Sequence, residues 1–278
     1  MAQKNLIKSP LNYTGGKYKL LKQIIPLLPK EINTFVDLFG GGFNVGINVK
    51  SDNTIYNDNC KQVEELLDYM YKNDTDKMLK DIYNYIELYN LTKENRNGFE
   101  QFREYYNEKN SSPIVFYCLL CYAFNYQIRF NKKGKYNMPF GKNRSSFNDS
   151  LKNKFIDFVN ELHNKNIKFY NNDFREILEF IPENSFVYCD PPYYNAVASY
   201  NENNGWSEKD EIELLNKLDE LNRKNIKFAL SNNLKYDNKI LSKWMDKYNV
   251  HYLNSDYSNC NYHKKDKTTD KEVLITNY

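Results

Sequence analysis

The amino-acid sequence predicts an α/β fold, a doubly wound sheet that carries an inserted, mostly helical segment with a β-hairpin. Three observations support this: short apolar runs ending in turn chemistry, amphipathic stretches between them, and one long segment of different character. Thr34-Phe-Val-Asp-Leu-Phe39 leads into Gly40-Gly41-Gly42. Ser185-Phe-Val-Tyr-Cys189 leads into Asp190-Pro191-Pro192-Tyr193, and Asn225-Ile-Lys-Phe-Ala-Leu230 into Ser231-Asn-Asn233. Such runs are typical of parallel strands buried on both faces. Between them, Leu20, Leu21, Ile24 and Ile25 recur at helical spacing, as do Ile212, Leu215, Leu218 and Leu221. Strands alternating with helices place a binding site at the carboxyl ends of the strands.

Residues 61–165 differ. Their pattern is mostly helical and rich in Tyr, and then gives a hairpin signal over Arg129-Phe-Asn-Lys-Lys-Gly-Lys-Tyr-Asn137, with Lys133-Gly134 in the turn. This segment reads as an insertion, so that residues 1–60 and 166–278 form one unit and 61–165 another.

Composition narrows the class. The chain has 278 residues, 41% hydrophobic and 27% charged, as in a globular protein. It has no apolar run of membrane-spanning length. Met1 to Lys8 shows no basic segment followed by an apolar core, which points to a cytoplasmic protein. Five cysteines do not suggest a disulfide framework. Cys118-x-x-Cys121 with Cys260-x-x-His263 could make a zinc site. The early pair, however, lies in the apolar run Ile114 to Phe124, where cysteine is a common small core residue, and no metal is expected. The net charge of +3 does not announce a nucleic-acid partner. The basic clusters Lys132, Lys133, Lys135, Lys142, Arg144 and Lys264, Lys265, Lys267, Lys271 could follow phosphates or be solvated loops.

Asp190-Pro191-Pro192-Tyr193 is the most informative tetrapeptide. Two prolines remove two N–H donors and leave carbonyl oxygens free to accept from outside the chain. A carboxylate on one side and an aromatic face on the other suit a planar ring that bears an amine. Asp190 and the Pro191 carbonyl would each accept one N–H while Tyr193 stacks on the ring. The same tetrapeptide also serves as an ordinary turn after a strand. Gly40, Gly41 and Gly42 let backbone approach a ligand closely, though without a dinucleotide fingerprint. Asp58 follows the short run Thr54-Ile-Tyr56, where an acid commonly meets a ribose diol in nucleotide-binding sheets.

In this order the motifs resemble those of the Dam-type (α-class) family of DNA adenine-N6 methyltransferases, over nearly the whole chain. The resemblance implies a Rossmann-like methyltransferase sheet with an inserted target-recognition domain at 61–165. It also implies an S-adenosylmethionine cofactor. Asn12-Tyr13-Thr-Gly15-Gly16-Lys17 is similar to the family's Gly-Gly-Lys motif at the methionine part of the cofactor. Asp37, Phe39, Gly40 and Gly42 match its cofactor loop, and Asp58 its ribose acid. Asp173-Phe174 matches the pair that meets the cofactor adenine, and Glu272 to Tyr278 the final strand. Asp190, Pro191, Pro192 and Tyr193 match the catalytic motif, with Asp190 also lining the cofactor site. Asn125, Gln127, Arg129, Asn131, Lys132, Lys133 and Pro139 fall in its DNA-reading hairpin, where the Arg reads a guanine; a bidentate Arg is the commonest specific contact to guanine.

Two departures stand out. Tyr13 replaces the Trp of many members. Tyr126-Gln127 replaces the Gly-Leu of GATC-specific members, and Gln suits adenine better than a thymine methyl. The implied function is N6 methylation of a flipped adenine in double-stranded DNA, at GATC or a related GA-containing site. The loop from Asn195 to Trp206 is expected to close over the base. Cytosine-N4 methylation needs the same amine geometry, but Ser is the commoner first residue there. RNA or protein-amide methylation is disfavoured by the hairpin. A DNA-binding regulator that kept the fold would not need intact motifs. The protein is expected to act as a monomer. Whether it shares its site with a cognate restriction endonuclease, acts alone, or is phage-encoded is open at this level.

Overall fold

The computed structural model describes residues 5–195, 205–254 and 271–278. Its centre is a seven-stranded sheet of β1 (Thr34–Asp37), β2 (Asn53–Asn57), β3 (Ile167–Tyr170), β4 (Ser185–Cys189), β5 (Lys227–Asn233), β6 (Asn249–Asn254) and β7 (Lys271–Thr276). The spatial order is β3-β2-β1-β4-β5-β7-β6. The first five strands are mutually parallel, and β7 runs antiparallel to both neighbours. This mixed α/β arrangement is consistent with a methyltransferase fold.

Successive side chains of the central strands enter opposite cores, which is why these strands read as unbroken apolar runs. Val36, Val187 and Cys189 join Phe228, Leu230 and Ile275 on one face. Phe35, Phe186 and Tyr188 join Ala229 and Leu274 on the other. The first face is covered by α7 (Phe174–Phe180), α8 (Glu208–Arg223) and α9 (Lys239–Trp244). The second is covered by a short helical segment, Lys17–Leu27, with α1 (Leu21–Ile24) at its centre. Ser207 and Asp210 form a reciprocal capping box that starts α8. Arg175 ties α7 to α8 through ion pairs with Asp210 and Glu213.

Between β2 and β3 the chain makes α2 (Lys61–Lys72), α3 (Thr75–Leu88), α4 (Arg96–Glu108), α5 (Pro113–Leu120) and α6 (Asp149–His163). Asp74 and Asn148 cap α3 and α6 by accepting backbone N–H groups. Their apolar faces surround α5, whose residues from Ile114 to Leu120 are all buried, and the same cluster runs on to Phe43, Tyr56 and Ile167 on the sheet side. Cys118 and Cys121 lie inside it, fully buried. Cys260, His263, Lys264, Lys265 and Lys267 lie outside the described residues, as do 196–204 of the expected closing loop.

Several expectations shift. The third apolar run was expected to turn at Ser231, but β5 continues through Ser231, Asn232 and Asn233 because each pairs with β7. The strand expected over 34–39 ends at Asp37, where Leu38 still donates to Tyr188 before the glycine loop departs. Ile212 is exposed, and Leu214 takes its place in the buried stripe with Leu215, Leu218 and Leu221. The hairpin forms as a loop with two isolated antiparallel bridges, Phe130 to Tyr136 and Ala123 to Phe140, rather than as a ladder. Gly134, at φ +72°, closes its turn by donating to the Asn131 carbonyl. No helix among the described residues is long and apolar enough to cross a membrane.

The loop after β1 depends on one close approach. A Cβ at Gly46 would stand 2.1 Å from the ring of Phe43, which is fully buried against Tyr56. Gly46→Ala should therefore lower stability by about 1–3 kcal/mol through overpacking. A denaturant midpoint equal to wild type would show that the ring can move aside.

Candidate active site

Three loops at the carboxyl ends of the parallel strands and one N-terminal segment converge. After β4, Asp190, Pro191 and Tyr193 sit half-buried or buried, with Pro192 exposed. Asp190 Oδ2 accepts from the Lys17 ammonium at 2.7 Å, so the Gly-Gly-Lys motif reaches the Asp-Pro-Pro-Tyr motif across 173 residues of sequence. The Lys17 side chain is 2% exposed; its ammonium also donates to the Gly15 carbonyl and lies 5.2 Å from the Tyr193 ring centre. Gly16 closes the turn before it by donating to the Tyr13 carbonyl. Burial pushes the Asp190 carboxyl above the ordinary carboxylate range, against the pull of the Lys17 charge and the Tyr193 hydroxyl. Among the described residues its second oxygen, Oδ1, meets only a long contact of 3.5 Å from Tyr193, which leaves it able to accept from a ligand.

The loop after β1 is held from inside. Asp37 Oδ2 accepts from Gly46, and burial, reinforced by the charges of Asp190 and Asp58, raises the Asp37 carboxyl to about 8 against the Gly46 bond. Gly40 bonds to the Asn57 carbonyl and lies on the Tyr56 ring, and Gly42 lies beside Tyr13. Asp58, at the end of β2, is buried. Its Oδ2 accepts from Gly41 at 2.8 Å, and its Oδ1 from Cys60 at 2.8 Å and the Tyr13 hydroxyl at 3.3 Å. Burial raises its carboxyl while these three donors lower it. Oδ2 keeps room for one more donor.

Phe39 and Phe174 form an aromatic wall with Trp206, all three ring pairs having centroids 5.5–5.6 Å apart. Asp173 stands beside it, exposed; it caps α7 and receives two bonds from the Arg175 guanidinium. The sequence reading missed Trp206 in this wall. It also missed Glu272, a buried β7 carboxylate that accepts from Tyr193 and Asn233.

The candidate DNA-reading residues occupy one loop, 124–141. Asn125, Lys132, Lys133 and Pro139 are exposed, while Gln127, Arg129 and Asn131 are half-buried. Asn131 Oδ1 accepts from Lys133 and Lys135 and so shapes the turn. Arg129 donates from Nε to Asn137 Oδ1 at 2.8 Å and from Nη2 to the Asn137 carbonyl at 3.0 Å. Its end-on pair of N–H groups is left unbonded by these contacts. Asn12, next to Tyr13, bridges to Gln127 and donates to the Asn125 carbonyl at 2.7 Å. Among the described residues no group of three His, Cys, Asp or Glu side chains could hold a metal ion.

The sequence profile of the D12 class of N6 adenine-specific DNA methyltransferases matches residues 13–259. The chain is 48% identical over 98% of its length to the type II methyltransferase M.FokI of Planomicrobium okeanokoites, covering 43% of that enzyme. It is 30% identical to the type II methyltransferase M.MjaIII of Methanocaldococcus jannaschii, over 98% of this chain and 99% of that one. Against the DNA adenine methylase of Escherichia coli K12 it is 26% identical, over 87% of this chain and 86% of that enzyme. The chain spans less than half the length of several curated relatives. With the profile extending from the Gly-Gly-Lys segment past the Asp-Pro-Pro-Tyr motif, the chain belongs to the D12 class of N6 adenine-specific DNA methyltransferases.

Proposed function

We propose that this chain methylates the exocyclic N6 of an adenine flipped out of double-stranded DNA, with S-adenosylmethionine as donor. The observation that carries the reading is the buried Lys17–Asp190 contact at 2.7 Å, which brings two motifs together around one unsatisfied carboxylate oxygen. Residues 1–60 and 166–278 serve as the catalytic and cofactor-binding unit, and 61–165 as the target-recognition unit.

The residues suit the donor. An adenosyl group needs a flat apolar wall, which Phe39, Phe174 and Trp206 supply. Its ribose needs a buried acceptor, which Asp58 would supply, and Lys17 would supply a cation for the carboxylate of the methionine part. When bound, the cofactor supplies an electrophilic methyl group on sulfur. The chain supplies position and charge. Asp190 Oδ1 and the Pro191 carbonyl each hold one N–H of the target amine, and the ring of Tyr193 stacks on the base. Two acceptors draw the nitrogen toward a tetrahedral shape and free its lone pair from the ring. As the nitrogen becomes cationic it faces the Asp190 carboxylate, so charge is stabilised where it develops.

On this reading the 124–141 loop finds the site. Asn137 holds the Arg129 guanidinium so that its end-on fork can meet guanine O6 and N7. GATC or a related GA-containing sequence is the proposed target, with Gln127 helping to read it. Two relatives, from Streptococcus sanguinis and Lactococcus lactis, are named modification methylases, so a cytoplasmic enzyme acting on the same site as a restriction endonuclease is part of the proposal.

Asp190→Ala should abolish methyl transfer even at saturating S-adenosylmethionine, as measured by tritiated-methyl incorporation, with cofactor affinity followed by calorimetry because the change also strands the Lys17 charge. Retention of a tenth of wild-type turnover at saturating substrates would sink the role given to Asp190. Asp58→Asn keeps one acceptor for the loop but loses the charge. It should weaken cofactor binding by about 1.5–3 kcal/mol, and unchanged affinity would move the ribose contact elsewhere.

Arg129→Ala should cost about 1–3 kcal/mol on the preferred duplex. Most of the loss should fall at one base position, and Arg129→Lys should not restore it, because an ammonium lacks the fork. Turnover on duplexes substituted at each position decides this. Equal loss on every duplex, restored by Lys, would show that Arg129 only holds phosphate.

A further inference from the structure

Glu272 has no part in the reading so far, yet it is 4% exposed and placed in the middle of the site. A buried carboxylate is costly unless its oxygens are bonded. Both are. Oε1 accepts from Asn233 Nδ2 at 3.1 Å, across the β5–β7 pair that sets Asn233 opposite Glu272, and Oε2 accepts from the Tyr193 hydroxyl at 3.1 Å. The same hydroxyl lies 3.5 Å from Asp190 Oδ1. A phenol has one proton to donate. Two carboxylates compete for it, and the shorter contact is to Glu272.

We propose that Glu272 is a positioning residue that draws the Tyr193 hydroxyl proton away from Asp190 and so leaves Asp190 Oδ1 open to the target amine. The inference rests on the reading of Asp190 as the acceptor for that amine. Asn233 sets the geometry by fixing Oε1, so that Oε2 is the oxygen facing Tyr193. With Oδ2 committed to Lys17, Oδ1 is the only oxygen of Asp190 that can hold substrate, and a hydroxyl donating to it would compete directly with the amine. An apolar residue at 272 would fill the space but would send that proton to Asp190.

Glu272→Gln tests this with little change of shape. Asn233 still donates to the amide oxygen, which turns the amide nitrogen, a donor, toward Tyr193 and sends the hydroxyl proton to Asp190. The single-turnover methyl-transfer rate at saturating cofactor and duplex should fall about tenfold or more, with cofactor Kd changed less than about twofold. Tyr193→Phe keeps the stacking ring and removes the proton, so in that background Glu272→Gln should cost less than about twofold. Glu272→Asp draws the carboxylate back by one methylene and should also slow the transfer, which keeps the test open if the Gln variant does not fold. A wild-type rate in Glu272→Gln or in Glu272→Asp overturns the proposal. So does an equal loss from Glu272→Gln in both backgrounds, which would mark the glutamate as merely structural. A wild-type chain that transfers no methyl to adenine-containing duplex overturns the functional reading and this inference together; an active wild type beside fully active Glu272 variants overturns this inference alone.

Discussion

The buried ammonium of Lys17 is the contact on which the site depends. Taking a lysine side chain to 2% exposure is costly unless its charge is met. Here it meets the Asp190 carboxylate, the Gly15 carbonyl and the face of Tyr193. One cation is shared among more than one acid: it lowers the carboxyls of both Asp190 and Glu272, while burial raises both. Removing either partner would leave an uncompensated charge in a place with little water. The pairing also fixes distance. It joins a segment that precedes β1 to a loop that follows β4, and so sets how far the Gly-Gly-Lys segment stands from Asp-Pro-Pro-Tyr.

The sheet explains why that pairing occurs where it does. Strand order runs outward from β1 through β2 and β3 on one side, and through β4 and β5 on the other. The chain therefore changes direction between β1 and β4, where loops from neighbouring strands must part and leave a crevice. Thr34 to Asp37 pair in register with Ser185 to Tyr188, so the loop after β1 and the tetrapeptide after β4 leave the sheet at nearly the same level. Asp58 leaves the next strand over. The antiparallel β7 then closes the crevice from the far side by bringing Glu272 opposite Asn233.

Much of this was legible in the chain, for identifiable reasons. β4 was readable to its last residue because Ser185 to Cys189 are all buried and two prolines follow. Residues that serve local turns, such as Lys133-Gly134, were readable because turn chemistry is local. β6 was not, because its side chains are mostly exposed or half-buried and give no apolar run. The extension of β5 through Ser231-Asn-Asn233 was hidden because polar side chains at a strand end look like a loop until the partner strand is known. Glu272 was hidden for the same reason: a glutamate in a terminal strand reads as solvent-facing, and its burial follows from the β5–β7 pairing alone. The Lys17–Asp190 contact spans too much sequence to be inferred from either motif without a family pattern.

The link between the proposed reading loop and the chemistry is of this hidden kind. Asn125 and Tyr126 both adopt positive φ, at 53° and 56°, which costs a residue with a Cβ roughly 1 kcal/mol or more. Such strain persists only where neighbours hold it. Asn12 does so from the other side of the site, donating to the Asn125 carbonyl and bridging to Gln127. One residue on, Tyr13 donates to Asp58 and packs over Gly41. A displacement of the 124–141 loop would therefore be felt at the glycine loop through two adjacent residues. The departure at Tyr126-Gln127 lies within the strained turn itself, so a change of base preference there would have to respect the backbone that Asn12 holds.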